Sequence, residues 1–115
     1  NPPILSLAAI RSSLSIFDRA GMDNLLNKSK NLTGYLSFLL ESIETGRIEI
    51  ITPKDRGCQL SIRVKDSNKK LFDKIVDRGV IADWREPGVI RVAPVPLYNS
   101  FSDVFKFYQV IKKVV

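Results

Sequence analysis

The chain has 115 residues, 44 % of them hydrophobic and 26 % charged, which is the make-up of one ordinary globular domain with a modest core. It has no histidine and a single cysteine, Cys58, which excludes an internal disulfide, a Cys/His metal cluster and a self-contained Ser-His-Asp or Cys-His hydrolase. The net charge of +6 invites a nucleic-acid reading, but the Lys28/Lys30, Lys69/Lys70 and Lys112/Lys113 clusters are short and separate, and they read as solvated helix faces.

The first element is a helix over 3–20. Pro2 and Pro3 suit its entry, Leu7, Ile10, Leu14 and Phe17 recur at helical spacing, and Gly21 supplies a stop or kink. "NPPILSLAAIRSSL" has no basic stretch ahead of its apolar part, so it does not read as a signal peptide; without an initiator Met, it reads as the start of a processed or excised piece. A second helix over 22–45 carries the longest stripe, Met22, Leu25, Leu26, Leu32, Leu36, Leu39, Leu40 and Ile43, read as a packing face. Lys28 falls among its polar positions, and Gly46 fits the residue after its end.

The period then changes to two. Ile48 and Ile50 alternate in "RIEIIT", and Cys58, Leu60, Ile62 and Val64 alternate in "CQLSIRV", with the turn formers of "PKDRG" between them, so an antiparallel pair is expected with Cys58 as a small buried hydrophobe. "SNKKLFDKIVDRG" is a short helix capped by Ser67 or Asn68, burying Leu71, Phe72, Ile75 and Val76, and stopped at Gly79. "VIADW" and "VIRVA" are two more strands joined by "REPG". A last helix begins at Ser100, with Asp103 three residues on and an apolar set of Phe101, Val104, Phe105, Tyr108 and Ile111. The sum is ααββαββα: an α+β fold, with a mostly antiparallel four-stranded sheet and helices on one side. No apolar run reaches the roughly 20 residues of a membrane-spanning helix.

Within "GVIRVAPVPLYNSF" the alternation puts Ile90 and Val92 on one face and Val89, Arg91 and Ala93 on the other, at a strand end where Pro94 and Pro96 stop ladder pairing. Two readings of Arg91 stand side by side. One is an exposed arginine on the wet face of a half-buried sheet. The other is a preorganised fork for a carboxylate or phosphate. Tyr98 and Asn99 read as loop packing and capping, and Asp83 and Glu86 near Arg85 as surface ion pairing. Spacing says nothing of Asn1, which nothing precedes.

"GVIRVAPVPLYNSF", together with "NPPI" at 1–4, "LTGYL" at 32–36 and "ITPKDRGCQLSI" at 51–62, resembles the C-terminal part of kynureninases over essentially the whole chain. The resemblance implies the small domain of a fold type I pyridoxal 5'-phosphate enzyme spanning 1–115, with 1–21 a helix leading in from a large domain. It implies hydrolysis of L-kynurenine, or its 3-hydroxy form, to the corresponding anthranilate and L-alanine in tryptophan degradation, by a cytoplasmic homodimer. It also implies that Arg91 binds the substrate α-carboxylate and that Asn1 lines the site near cofactor and substrate ring. The family's Schiff-base lysine, pyridinium-binding aspartate and phosphate-binding groups have no counterpart in this chain, which would be inactive alone. Ser102 departs from relatives that carry histidine after "NSF". The other reading of the same residues is a stand-alone α+β module that binds an amino acid or regulates a partner.

Overall fold

Period-two runs pair into a sheet, and the helical stripes find its apolar face. In the computed structural model, which describes residues 1–115, the elements run α1 (Ile4–Ala20), α2 (Met22–Glu41), β1 (Ile48–Ile50), β2 (Leu60–Val64), α3 (Lys69–Val76), β3 (Asp83–Arg85), β4 (Val89–Val92) and α4 (Phe101–Val114). The expected order ααββαββα is the observed one. The sheet is antiparallel throughout, in the spatial order β1-β2-β4-β3.

One face of that sheet is the core. Leu60, Ile62 and Val64 of β2 and Ile90 and Val92 of β4 point the same way and meet Leu32, Leu36, Leu39 and Leu40 of α2, Leu71, Phe72 and Ile75 of α3, and Val104, Phe107 and Ile111 of α4. Fully burying such an aliphatic side chain is worth about 1.5–3 kcal/mol, so this cluster is the main favourable term in folding. Trp84 of β3 closes one end, its ring 5.8 Å from that of Phe72. The opposite face of the sheet is polar and carries Glu49, Ser61, Arg63, Asp83, Arg85 and Arg91.

Caps set where the helices begin and end. Asn68, not Ser67, caps α3: its side chain accepts from the Lys70 N–H at 2.9 Å, while Ser67 donates to the Val64 carbonyl at 2.6 Å. Ser100 and Asp103 form a reciprocal capping box on α4, at 3.2 and 2.8 Å. Gly21 separates α1 from α2 at φ +82°, a conformation that a side chain would strain.

Several details differ from the sequence-based expectation. α2 ends at Glu41, where Ser42 caps it, and Gly46, at φ +64°, serves the turn into β1 instead. Of the α2 stripe, Met22 and Leu26 are exposed while Leu25 is buried; Leu26 lies about 100° round the helix from Leu25. On α4, Phe107 is buried and Phe105 is exposed; the two lie about 200° apart on the wheel, and the helix turns its Val104–Phe107–Ile111 face inward. Val76 is likewise exposed at the end of α3. Cys58 precedes β2 and is only half-buried, since ladder pairing begins at Leu60. No residue of α1 is buried, so its stripe of Leu7, Ile10 and Leu14 faces outward.

Candidate functional site

Arg91 stands in the middle of β4 on the polar face, opposite Asp83 of β3 on one side and Ser61 of β2 on the other. Its side chain is one-third exposed (33 %), which makes it the least exposed member of any ion pair in the chain. The guanidinium donates from Nε to Asp83 Oδ2 at 3.0 Å and from Nη2 to the same oxygen. Nε and Nη2 form the lateral edge of the group. Nη1, on the terminal edge, makes no hydrogen bond within the chain. Arg85 Nε also donates to Asp83 Oδ2, at 3.1 Å. The Arg91 hydrogen bond holds the Asp83 carboxyl below its ordinary 3.8, against an opposing effect of desolvation, and the charges of Arg85 and Arg91 add to the lowering. Two guanidiniums around one carboxylate leave the cluster with a single positive charge.

The backbone beyond Arg91 is fastened at two points. Asn99 Oδ1 accepts from the Val95 N–H at 2.8 Å, so the "APVPLYN" segment closes on itself, as expected of a capping asparagine. Lys28 Nζ reaches across from α2 and donates to the Pro96 carbonyl at 2.7 Å. Lys28 is therefore a half-buried tether and not part of a solvated face, which its place among the polar positions of α2 did not reveal. The connector between β1 and β2 is held similarly. Arg56 donates from Nη2 to Ser37 Oγ at 3.1 Å and to the Thr33 carbonyl at 3.5 Å, both on α2.

Asn1 is exposed ahead of α1, and no hydrogen bond links it to Arg91. Tyr98 is exposed too. An open groove of about 510 Å³ runs between α4 and the end of β4, walled by Leu36, Val80, Val92, Phe107 and Val110. Surface ion pairing describes Arg85 with Asp83, Arg63 with Glu49 and Lys69 with Asp73. Glu86 instead accepts from the Trp84 indole at 2.9 Å.

Such an antiparallel sheet, with helices on one face and a strand-borne arginine cluster on the other, is an α+β domain. A similar fold occurs inside a larger enzyme: the crystal structure of glycine decarboxylase (P-protein) of the glycine cleavage system, in inhibitor-bound form, superposes with a TM-score of 0.66 over 86 % of this chain and 24 % of that one. At 17 % identity this likeness speaks for the fold alone. Sequence comparison is more specific. Residues 25–111 match the model of the kynureninase C-terminal domain. The chain is 52 % identical to the kynureninase of Koribacter versatilis over 112 residues, covering 95 % of this chain and 26 % of that protein. It is 50 % identical to that of Myxococcus xanthus over 115 residues (97 % and 27 %) and 45 % identical to that of Flavobacterium psychrophilum over 119 (98 % and 28 %). The chain belongs to the kynureninase C-terminal domain family, and it spans about a quarter of the length of these curated relatives.

Proposed function

We propose that this chain is the small domain of a kynureninase and that Arg91 is its clamp for the α-carboxylate of L-kynurenine or 3-hydroxy-L-kynurenine. The observation that carries the reading is the guanidinium itself. It projects from the centre of a strand, is pinned along its lateral edge, and has a terminal edge that no group of the chain occupies. A carboxylate takes two parallel N–H···O bonds from such an edge. These fix its orientation as well as its position, which a lysine's point charge would not do. Holding the amino acid at one angle lowers the entropic part of the barrier to a reaction whose bond-making groups lie elsewhere.

The side chains present do not make a cradle for pyridoxal phosphate. Lys28 is committed to Pro96 and Lys69 to Asp73, and the exposed Lys106 and Arg78 at the groove stand beside apolar walls. The groove's acid, Asp103, is engaged in capping α4. The cofactor, which serves as the electron sink of the family's chemistry, therefore belongs with the remaining three-quarters of the protein. On the same reading, α1 leads in from that large domain and Asn1 meets cofactor and substrate ring only in the whole enzyme, a cytoplasmic homodimer. Hydrolysis to an anthranilate and L-alanine is the reaction of the assembled protein, and this domain contributes binding and closure.

The test is steady-state kinetics of the full-length protein carrying Arg91→Lys. A raised KM and a sharply lowered kcat/KM are expected; unchanged kinetics would refute the clamp.

A further inference from the structure

Arg91 is a long, flexible side chain, and a clamp works only if its fork is already aimed. We infer that Asp83 is the positioning residue that aims it, an assignment that rests on the carboxylate-clamp reading of Arg91. Asp83 lies directly across from Arg91 on the neighbouring antiparallel strand and on the same face, so the pairing is built into the β3–β4 register. Its Oδ2 takes both N–H groups of the lateral edge, Nε and Nη2. Nε lies nearest the chain and can be reached only from the side. An acid bonded there fixes the plane of the guanidinium and turns the Nη1–Nη2 edge outward.

An acid beside an anion-binding arginine ought to weaken it by cancelling its charge. Arg85 offsets that effect. Its Nε shares the same Asp83 oxygen at 3.1 Å, so the trio keeps a net positive charge facing an incoming carboxylate. Geometry therefore separates two roles: Asp83 supplies direction, and Arg85 restores the field. Asp83 touches neither the substrate nor the reacting bond, and it acts only through Arg91. The opposite arrangement, in which Asp83 blocks Arg91 until substrate displaces it, would place the acid on the terminal edge, where the structure has none.

The experiment uses the full-length enzyme and a two-residue cycle of Asp83→Ala and Arg91→Gln, with kynurenine and its carboxamide as substrates. Asp83→Ala is expected to raise KM for kynurenine by roughly two- to ten-fold, the effect of having to order one rotamer-rich side chain on binding, with kcat nearly unchanged. Its KM for the carboxamide should not move, and it should add nothing in the Arg91→Gln background. A merely structural role would move both substrates together and persist without Arg91. Asp83→Asn, which keeps the shape and can still accept a hydrogen bond, should fall between wild type and Asp83→Ala, and it answers the question if the alanine variant folds poorly. A KM for kynurenine that is unchanged or lowered by Asp83 substitution, while Arg91→Gln raises it, overturns the positioning role and leaves the clamp standing. No change from either residue overturns both.

Discussion

Lys28→Met removes the one side-chain tether between α2 and the segment that follows Arg91. The Nζ–Pro96 carbonyl bond is 2.7 Å long, charge-assisted and part-buried, and it joins residues 68 positions apart. Hydrogen bonds to charged groups contribute about 1.5–3 kcal/mol, and the partial access of water here argues for the lower end. Methionine keeps the length and apolar stem of the lysine, so the packing of α2 is largely preserved and the Pro96 carbonyl is left without its partner. Urea unfolding of the chain, followed by circular dichroism, should show a loss of about 1–2 kcal/mol with an unchanged slope against denaturant. Lys30→Met is the matched control. Lys30 is exposed and its ammonium makes no hydrogen bond, so its loss should fall within about 0.5 kcal/mol of wild type. If the two variants melt alike, the tether contributes nothing and the account of how the post-strand loop is fixed fails.

Two further predictions concern acid and cofactor. Asp103 is held below the ordinary 3.8 chiefly by the Ser100 backbone N–H, then by the Ser100 and Asn99 side chains, so its contribution to stability is complete above that value and is lost as pH falls through the lower folded-state value. Asp83 has the same sign. Between about pH 5 and pH 3 the wild-type chain should therefore lose stability more steeply than Asp103→Asn, while neither changes slope near neutrality; parallel acid profiles would contradict the capping role. Mixing the isolated chain with pyridoxal phosphate and reducing with borohydride should label exposed lysines diffusely. A single stoichiometric lysine adduct would show that the chain holds the cofactor after all.

Much of this could be read from residue order, because the forces involved are local. The alternation of Leu60, Ile62 and Val64 with polar neighbours fixes which face of β2 is buried, and the spacing of Ser100 and Asp103 is itself the capping box. Residue order leaves the fork and wet-face readings of Arg91 side by side, and it does not reveal that Asp83 is its partner. Asp83 lies two residues from Arg85 and eight from Arg91, so sequence proximity favoured Arg85 as its partner. Only the register of β3 on β4 turns the same carboxylate toward both. Lys28 and Arg56 escaped for the same reason, since a basic residue on a helix or in a turn-rich loop gives no local sign of a distant carbonyl that will accept from it. The outward stripe of α1 was legible as a helix but not as an uncovered one.

The central claim is that Arg91 grips a carboxylate, and the most direct measurement is the ratio of kcat/KM for kynurenine to that for its carboxamide, in full-length wild type and Arg91→Gln. Wild type should favour the carboxylate strongly, and the variant should lose most of that preference while its rate on the carboxamide stays near that of wild type. A variant that keeps the wild-type ratio would mean that the carboxylate is held by some other group.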